Sequence, residues 1–306
     1  MQPRIGAADF AFRAVLGVAA CGIVAVVAGI AWELSVLSSD AIGRTGIWAF
    51  LSGTTWDPVA ERFGALPALY GTLVTSALAL LMAVPLAFGV AIFLSEVAPR
   101  RVASVVAPLV DLLAAIPSVI YGLWGLFVLA PILRDQVQPA IQAAFGNLPL
   151  FAGPPLGVGY FTASLILAIM VLPYITSVAR EVLAAVPSSQ KEAAIALGTT
   201  QFEVVKGVVL PAARSGLIGA VVLGLGRALG ETMAVTMVIG NRYEISSSLF
   251  APGYTLAAVI ANEFSEAFSP VYLSALGGLA LVLMGTTLTL NAVARILVFR
   301  VVRNGR

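Results

Sequence analysis

A chain of 306 residues in which 60% of side chains are apolar, only 10% are charged and the mean hydropathy is +1.01 is not a water-soluble domain; it is an integral membrane protein. Its net charge of +2 is small, and the distribution of that charge carries more information than its sum. With no histidine and a single cysteine, Cys21, it forms no internal disulfide and lacks the commonest metal ligand and the usual general base. Metal sites, Ser/His or Cys/His catalysis and a nucleic-acid partner are therefore not expected.

Six charge-poor spans follow in order, each near or above the ~20 residues needed to cross about 30 Å of hydrocarbon. They are Ala14–Trp32, Tyr70–Ser95, Val102–Leu133, Leu156–Ala179, Ser215–Gly240 and Pro270–Ala294. All are too long and continuous for the strands of an outer-membrane barrel, so the expected fold is an all-α membrane bundle. In the first, Arg4, Arg13 and Val18-Ala19-Ala20-Cys21 resemble a signal peptide with a lipoprotein cleavage box. The apolar run continues to Trp32, beyond what a cleaved signal requires, and an uncleaved first helix is expected. The third span holds Asp111, expected at the cytoplasmic interface near Arg100 and Arg101.

Orientation follows from the Lys/Arg bias. With the N-terminus in the cytoplasm, twelve of the 17 Lys and Arg residues fall on that side, four on the other, and Arg227 within the membrane. Both termini and the long loop between the fourth and fifth spans are then cytoplasmic. Of the external loops, 33–69, 134–155 and 241–269, none is large enough to be a separate binding domain, and Glu263 and Glu266 read as a solvated face.

The cytoplasmic loop, 180–214, is patterned. Ser189-Gln190-Lys191-Glu192 reads as a capping box opening a short helix, with Gly198 as its C-terminal cap. Thr200-Gln201-Phe202-Glu203 reads as a second box, opening a helix expected to end before Leu210-Pro211. Ala193, Ala194, Ile195 and Leu197 would project as an apolar knob. It is either a satellite of its own bundle or a docking surface for a cytosolic partner.

In the fifth span, Arg227 and Glu231 stand four residues apart, so on a helix they share one face and can pair, in an order (cation first) that is the weaker one for a helix pair. Each such charge costs roughly +2.5 to +3.5 kcal/mol at membrane depth, so a chain that keeps two is using them. Two readings stand side by side: a structural ion pair, or a gate and transient anion site whose guanidinium fork matches oxyanion geometry. Thr232 and Thr236 either face a polar path or bond back to their own helix. Gly216, Gly219, Gly224, Gly226 and Gly230 provide for close helix packing.

Glu192-Ala193-Ala194, Gly198, Val208 and Leu210-Pro211 resemble the EAA loop of ABC importer permeases, with Val208 in place of the usual isoleucine. Residues 71–76, 115–122 and 227–235 further resemble the PstC-type permease of phosphate importers, over roughly residues 65–300. The resemblance implies a six-helix type I ABC importer permease, with an N-terminal helix and external loop at 1–69, a transmembrane domain at 70–300 and a coupling loop at 188–211. It implies that Glu192, Ala193, Ala194, Gly198, Leu210 and Pro211 engage a partner ATPase, and that Arg227, Glu231, Thr232 and Thr236 line the path. The implied partners are a PstA-type sister permease, two PstB-type ATPases that bind ATP-Mg, and an external PstS-type phosphate-binding protein, in a bacterial inner membrane. The chain itself has no P-loop: its only lysines, Lys191 and Lys206, follow Gln190 and Val205. Permeases for molybdate, tungstate or phosphonate remain open as substrate alternatives, and a stand-alone secondary transporter as an alternative of another class.

Overall fold

Acyl chains are as apolar as leucine, so helices in lipid associate where small side chains let their backbones approach. The centre of this molecule follows that rule. A computed structural model describes residues 7–146 and 148–303. Helix α1 spans Ala7–Leu37, followed by short helices α2 (Ser39–Thr45) and α3 (Ile47–Ser52) and a hairpin of β1 (Trp56–Asp57) and β2 (Arg62–Phe63). Helix α4 (Leu66–Ile92) runs into a π turn at Phe93–Val97, and α5 covers Arg100–Ala114. One long helical run follows: α6 (Ser118–Trp124), a π turn (Gly125–Leu129), α7 (Ala130–Ile132), a π turn (Leu133–Val137) and α8 (Gln138–Phe145). Then come α9 (Tyr160–Ala184), α10 (Ser188–Ala196), α11 (Gln201–Val204), a π turn (Val205–Val209), α12 (Leu210–Leu229), α13 (Met233–Val238), α14 (Leu256–Glu263) and α15 (Pro270–Arg303).

Helices α4 and α9 form the most extensive pair and the middle of the bundle. Ala79, Ala83, Ala87 and Ala91 recur every fourth residue and are fully buried, presenting a smooth stripe to Ile166, Val171, Ile175 and Ala179. Helix α12 joins this core through Gly216, whose missing Cβ would lie 2.5 Å from Val182, and Gly224, where it would lie 2.7 Å from Ile175. Gly219 and Gly226 face open space. Of the five glycines, Gly216 and Gly224 make the close approach expected of the set. A second core joins Phe50, Phe63 and Ala68 to Leu256, Val259, Tyr272 and Leu276, so the segment between α1 and α4 is folded onto α14 and α15.

Among the described residues six helical segments are long and apolar enough to span a bilayer: Ala11–Leu37, Leu66–Val97, Ser118–Phe145, Tyr160–Ala184, Gln201–Leu229 and Pro270–Ile296. The expected number stands, but two spans are redrawn. The third does not run through 102–133, because α5 stops at Ala114 and Pro117 caps a new helix. A residue before proline is pushed out of the helical region, so Ile116-Pro117 is a break. Asp111 therefore lies on the separate helix α5, where it pairs with Arg180 at 3.2 Å rather than with Arg100 or Arg101. The fifth starts earlier and ends earlier than expected, for a reason that lies in the prolines.

Each of the four π turns among the described residues ends two residues before a proline: Pro99, Pro131, Pro139 and Pro211. A proline inside a helix clashes with the carbonyl four residues back and supplies no N–H. That carbonyl belongs to Ser95, Phe127, Asp135 or Gly207, the middle residue of each π turn. At Pro131, Pro139 and Pro211, where the helix continues, the wider ring moves it aside, whereas at Ala98-Pro99 the backbone turns extended and the helix ends. Hence the helix opened by Thr200 does not end before Leu210-Pro211; it passes through both and becomes the fifth span.

Candidate functional site

The two charges of the fifth span straddle the end of α12. Arg227 lies in its last turn, Gly230 closes it, and Glu231 precedes α13. Arg227 Nη2 stands 3.3 Å from Glu231 Oε2. The pair is not one on a continuous helix, and the cation-first order is the favourable one here: a cation suits a helix C-terminus and an anion the start of the next. The Ala234 N–H donates to Glu231 Oε1 at 3.4 Å. Burial is lopsided, with 3% of the Glu231 side chain exposed against 39% of Arg227. The guanidinium also stacks over Tyr174, 5.5 Å from its ring centre, within cation–π range. Tyr174 follows Pro173 on α9, and nothing in local spacing ties it to Arg227.

Thr232 and Thr236 are half-buried beside this turn. Thr236 Oγ1 donates to the Thr232 carbonyl at 2.8 Å and Thr232 Oγ1 to the Gly230 carbonyl at 3.3 Å. Both hydroxyl protons are spent on the chain's own backbone, which helps close the short helix across the break.

Glycines of two other stretches singled out in sequence allow close contacts between elements. Gly122 lets α6 touch α13, since a Cβ there would meet Met237 at 2.5 Å and Ala234 at 3.0 Å. Gly71 lets the loop before α14 dock on α4, where a Cβ would lie 2.0 Å from the Tyr254 carbonyl oxygen. The next residue, Thr72, accepts the Leu256 N–H at 2.9 Å.

At one end of the bundle lies the patterned loop. Helix α10 follows Pro187, and no side chain caps its start, so the first expected capping box does not form. Pro187 itself, with its fixed φ, sets that start. The second box is complete: Thr200 accepts the Glu203 N–H and the Glu203 carboxylate accepts the Thr200 N–H. Gly198 adopts φ +85°, the left-handed cap that L side chains resist. Glu192, Ala193, Ile195, Leu197 and Phe202 are exposed, Leu197 at 86% and Phe202 at 72%, whereas Ala194 packs on the core. Leu210 is half-buried and Pro211 exposed at the foot of the fifth span. The knob is not folded away against its own bundle.

The opposite end is a closed aromatic cap. Glu263 is not a solvated residue: its Oε2 accepts Trp56 Nε1–H at 2.5 Å and the Tyr272 hydroxyl at 2.6 Å. These bonds staple the hairpin to α14 and α15. Tyr243 donates to the Gly64 carbonyl, and burial, with Glu263 nearby, pushes its phenol well above the ordinary value. Beside it Arg242, Ser246, Ser247 and Ser248 line a pocket of about 360 Å³.

Six spans with an exposed apolar loop at one end and a charged break at the end of the fifth are the features that the resemblance to type I ABC importer permeases implies. The family model described as binding-protein-dependent transport system inner membrane component matches residues 83–304, and the chain belongs to that family. Among its relatives, the phosphate transport system permease protein PstC of Mesorhizobium japonicum is 49% identical over 302 residues, 97% of this chain and 92% of that one. The protein of the same name from Xylella fastidiosa strain 9a5c is 46% identical over 304 residues, 98% of this chain and 93% of that one. A chain of the MetNI methionine ABC transporter in inward facing conformations superposes with a TM-score of 0.59 over 82% of this chain and 100% of its own; at 18% identity that likeness speaks to fold.

Proposed function

We propose that the chain is a PstC-type permease subunit of an ATP-driven phosphate importer, forming the phosphate path by alternating access in a bacterial inner membrane. The supporting observation is the lopsided Arg227–Glu231 pair, in a chain whose relatives carry phosphate-permease names over nearly its whole length. An importer path needs a group that receives an oxyanion and lets it go. Arg227 is held by a carboxylate on one side and open on the other. Its planar fork matches two oxyanion oxygens. Glu231, sealed from solvent, holds the guanidinium between turnovers and keeps the free cation from binding phosphate too tightly.

The motive force comes from outside the chain. ATP-Mg binds to two PstB-type ATPases in the cytoplasm, on the side of both termini, and their closure presses on Glu192, Ala193, Ala194 and Gly198. Leu210 and Pro211 carry that displacement into the fifth span. A PstA-type sister permease supplies the other half of the bundle, and a PstS-type protein delivers phosphate from outside. Closure of the ATPases selects the outward-open state to which this delivery is matched.

The test is reconstitution of the purified complex in lipid vesicles. Phosphate uptake should require ATP and the external binding protein and should resist competition by molybdate, tungstate or phosphonate. Uptake by this chain alone, without ATP, would overturn the reading, and so would preferential uptake of one of the competitors.

A further inference from the structure

Helix α4 cannot continue past its π turn because of Pro99, so its last carbonyls lack partners within the helix. The exposed loop supplies one. The Gln201 side-chain amide donates to the Glu96 carbonyl. The Glu96 carboxylate, with 8% of its side chain exposed, meets Lys191 Nζ at 2.7 Å. Lys191 lies in the first turn of α10, and Gln201 opens α11. The helix bearing Glu192 is thus tied at its first turn, and the short helix that follows it at its start, to a single residue on a different span. A cation there also complements the C-terminal end of the α4 dipole.

We propose that Glu96 is a positioning residue for transport, a latch through which displacement of α10 is passed to α4 as well as to the covalently continuous α12. This rests on the proposed function above. Through α12 alone, a push on the loop would reach the charged turn of the fifth span. Through Glu96 it also reaches the alanine stripe of α4 and therefore α9, whose Tyr174 ring lies against Arg227. The latch makes the two halves of the core move as one.

The experiment uses the complete importer in lipid vesicles and reads ATP hydrolysed per phosphate transported. The double variant Lys191→Met/Glu96→Gln removes the ion pair without stranding a buried charge. It should raise that ratio about tenfold, within the usual span of coupling between sites, with the ATPases still co-purifying. Either single reversal, Lys191→Glu or Glu96→Lys, should uncouple at least as strongly, and the two reversals together should restore most of the ratio. Rescue of this kind is not expected if Lys191 merely forms part of the ATPase contact. A wild-type ratio in the neutral double variant, loss of the ATPases from its purified complex, or a combined reversal no better than the single ones would overturn the latch alone. A wild-type complex that moves no phosphate would overturn the proposed function and the latch together.

Discussion

The two ion pairs at functional positions are built in opposite ways. Lys191–Glu96 joins residues 95 apart in sequence, both mostly buried, at 2.7 Å. Arg227–Glu231 joins residues four apart at 3.3 Å, and the acid alone is sealed. A tight pair between elements suits a joint that must not slip. A looser local pair, with one member open to solvent, suits a contact that must be broken in every cycle. The difference teaches that burial of one partner alone, rather than the presence of opposite charges, marks the group free to change partners.

The largest expected effect comes from breaking the open pair. Arg227→Ala should abolish phosphate uptake while the complex still assembles, and it should cost stability by stranding Glu231, about 3–5 kcal/mol for a buried carboxylate left alone. Arg227→Ala/Glu231→Ala should be equally inactive but unfold at a higher temperature than the single variant. A single variant with normal uptake would remove Arg227 from the path. Next, Glu192→Lys should leave the charged turn intact while separating ATP hydrolysis from transport by about tenfold or releasing the ATPases, as measured on the purified complex. Normal coupling would place the docking surface elsewhere. Gly224→Val sharpens the comparison from the packing side. It drives methyl groups into Ile175 and Val171 and should cost about 1–3 kcal/mol in thermal unfolding, with uptake per folded complex falling less than in Arg227→Ala. The smallest effect is expected for Thr236→Val. Its hydroxyl only closes a local bond to Thr232, and loss of about 0.5–1.5 kcal/mol should leave uptake near normal. A large transport defect with unchanged stability would instead give Thr236 a direct part in the path.

Much of this was readable in advance, for definite reasons. Long apolar runs announce membrane crossings because bilayer thickness fixes their length, and the six spans followed. The exposed loop was legible because its cap at Thr200, its Gly198 stop and its apolar residues all lie within a few turns. The break at Ile116-Pro117 was hidden by an unbroken apolar composition, even though the proline was in view. The passage of a helix through Pro211 ran against the usual rule, and the widened turn before it accommodates the proline. Glu96 and Tyr174 were invisible as partners because nothing in a linear pattern brings residues from distant spans together. Glu263 was misread for the same reason: its donors, Trp56 and Tyr272, belong to separate elements.

The widened turns ahead of Pro131, Pro139 and Pro211 have a consequence for how these helices accept insertions and deletions. Each holds one surplus residue, and a single residue turns everything beyond it by about 100° about the helix axis. The faces of the long run from Ser118 to Phe145 are thus set twice over by such surpluses, and that of the fifth span once. Deleting one residue between Val205 and Val209 would leave composition and length almost untouched, yet it would swing Gly216, Gly224 and Arg227 away from the neighbours they were shaped to meet.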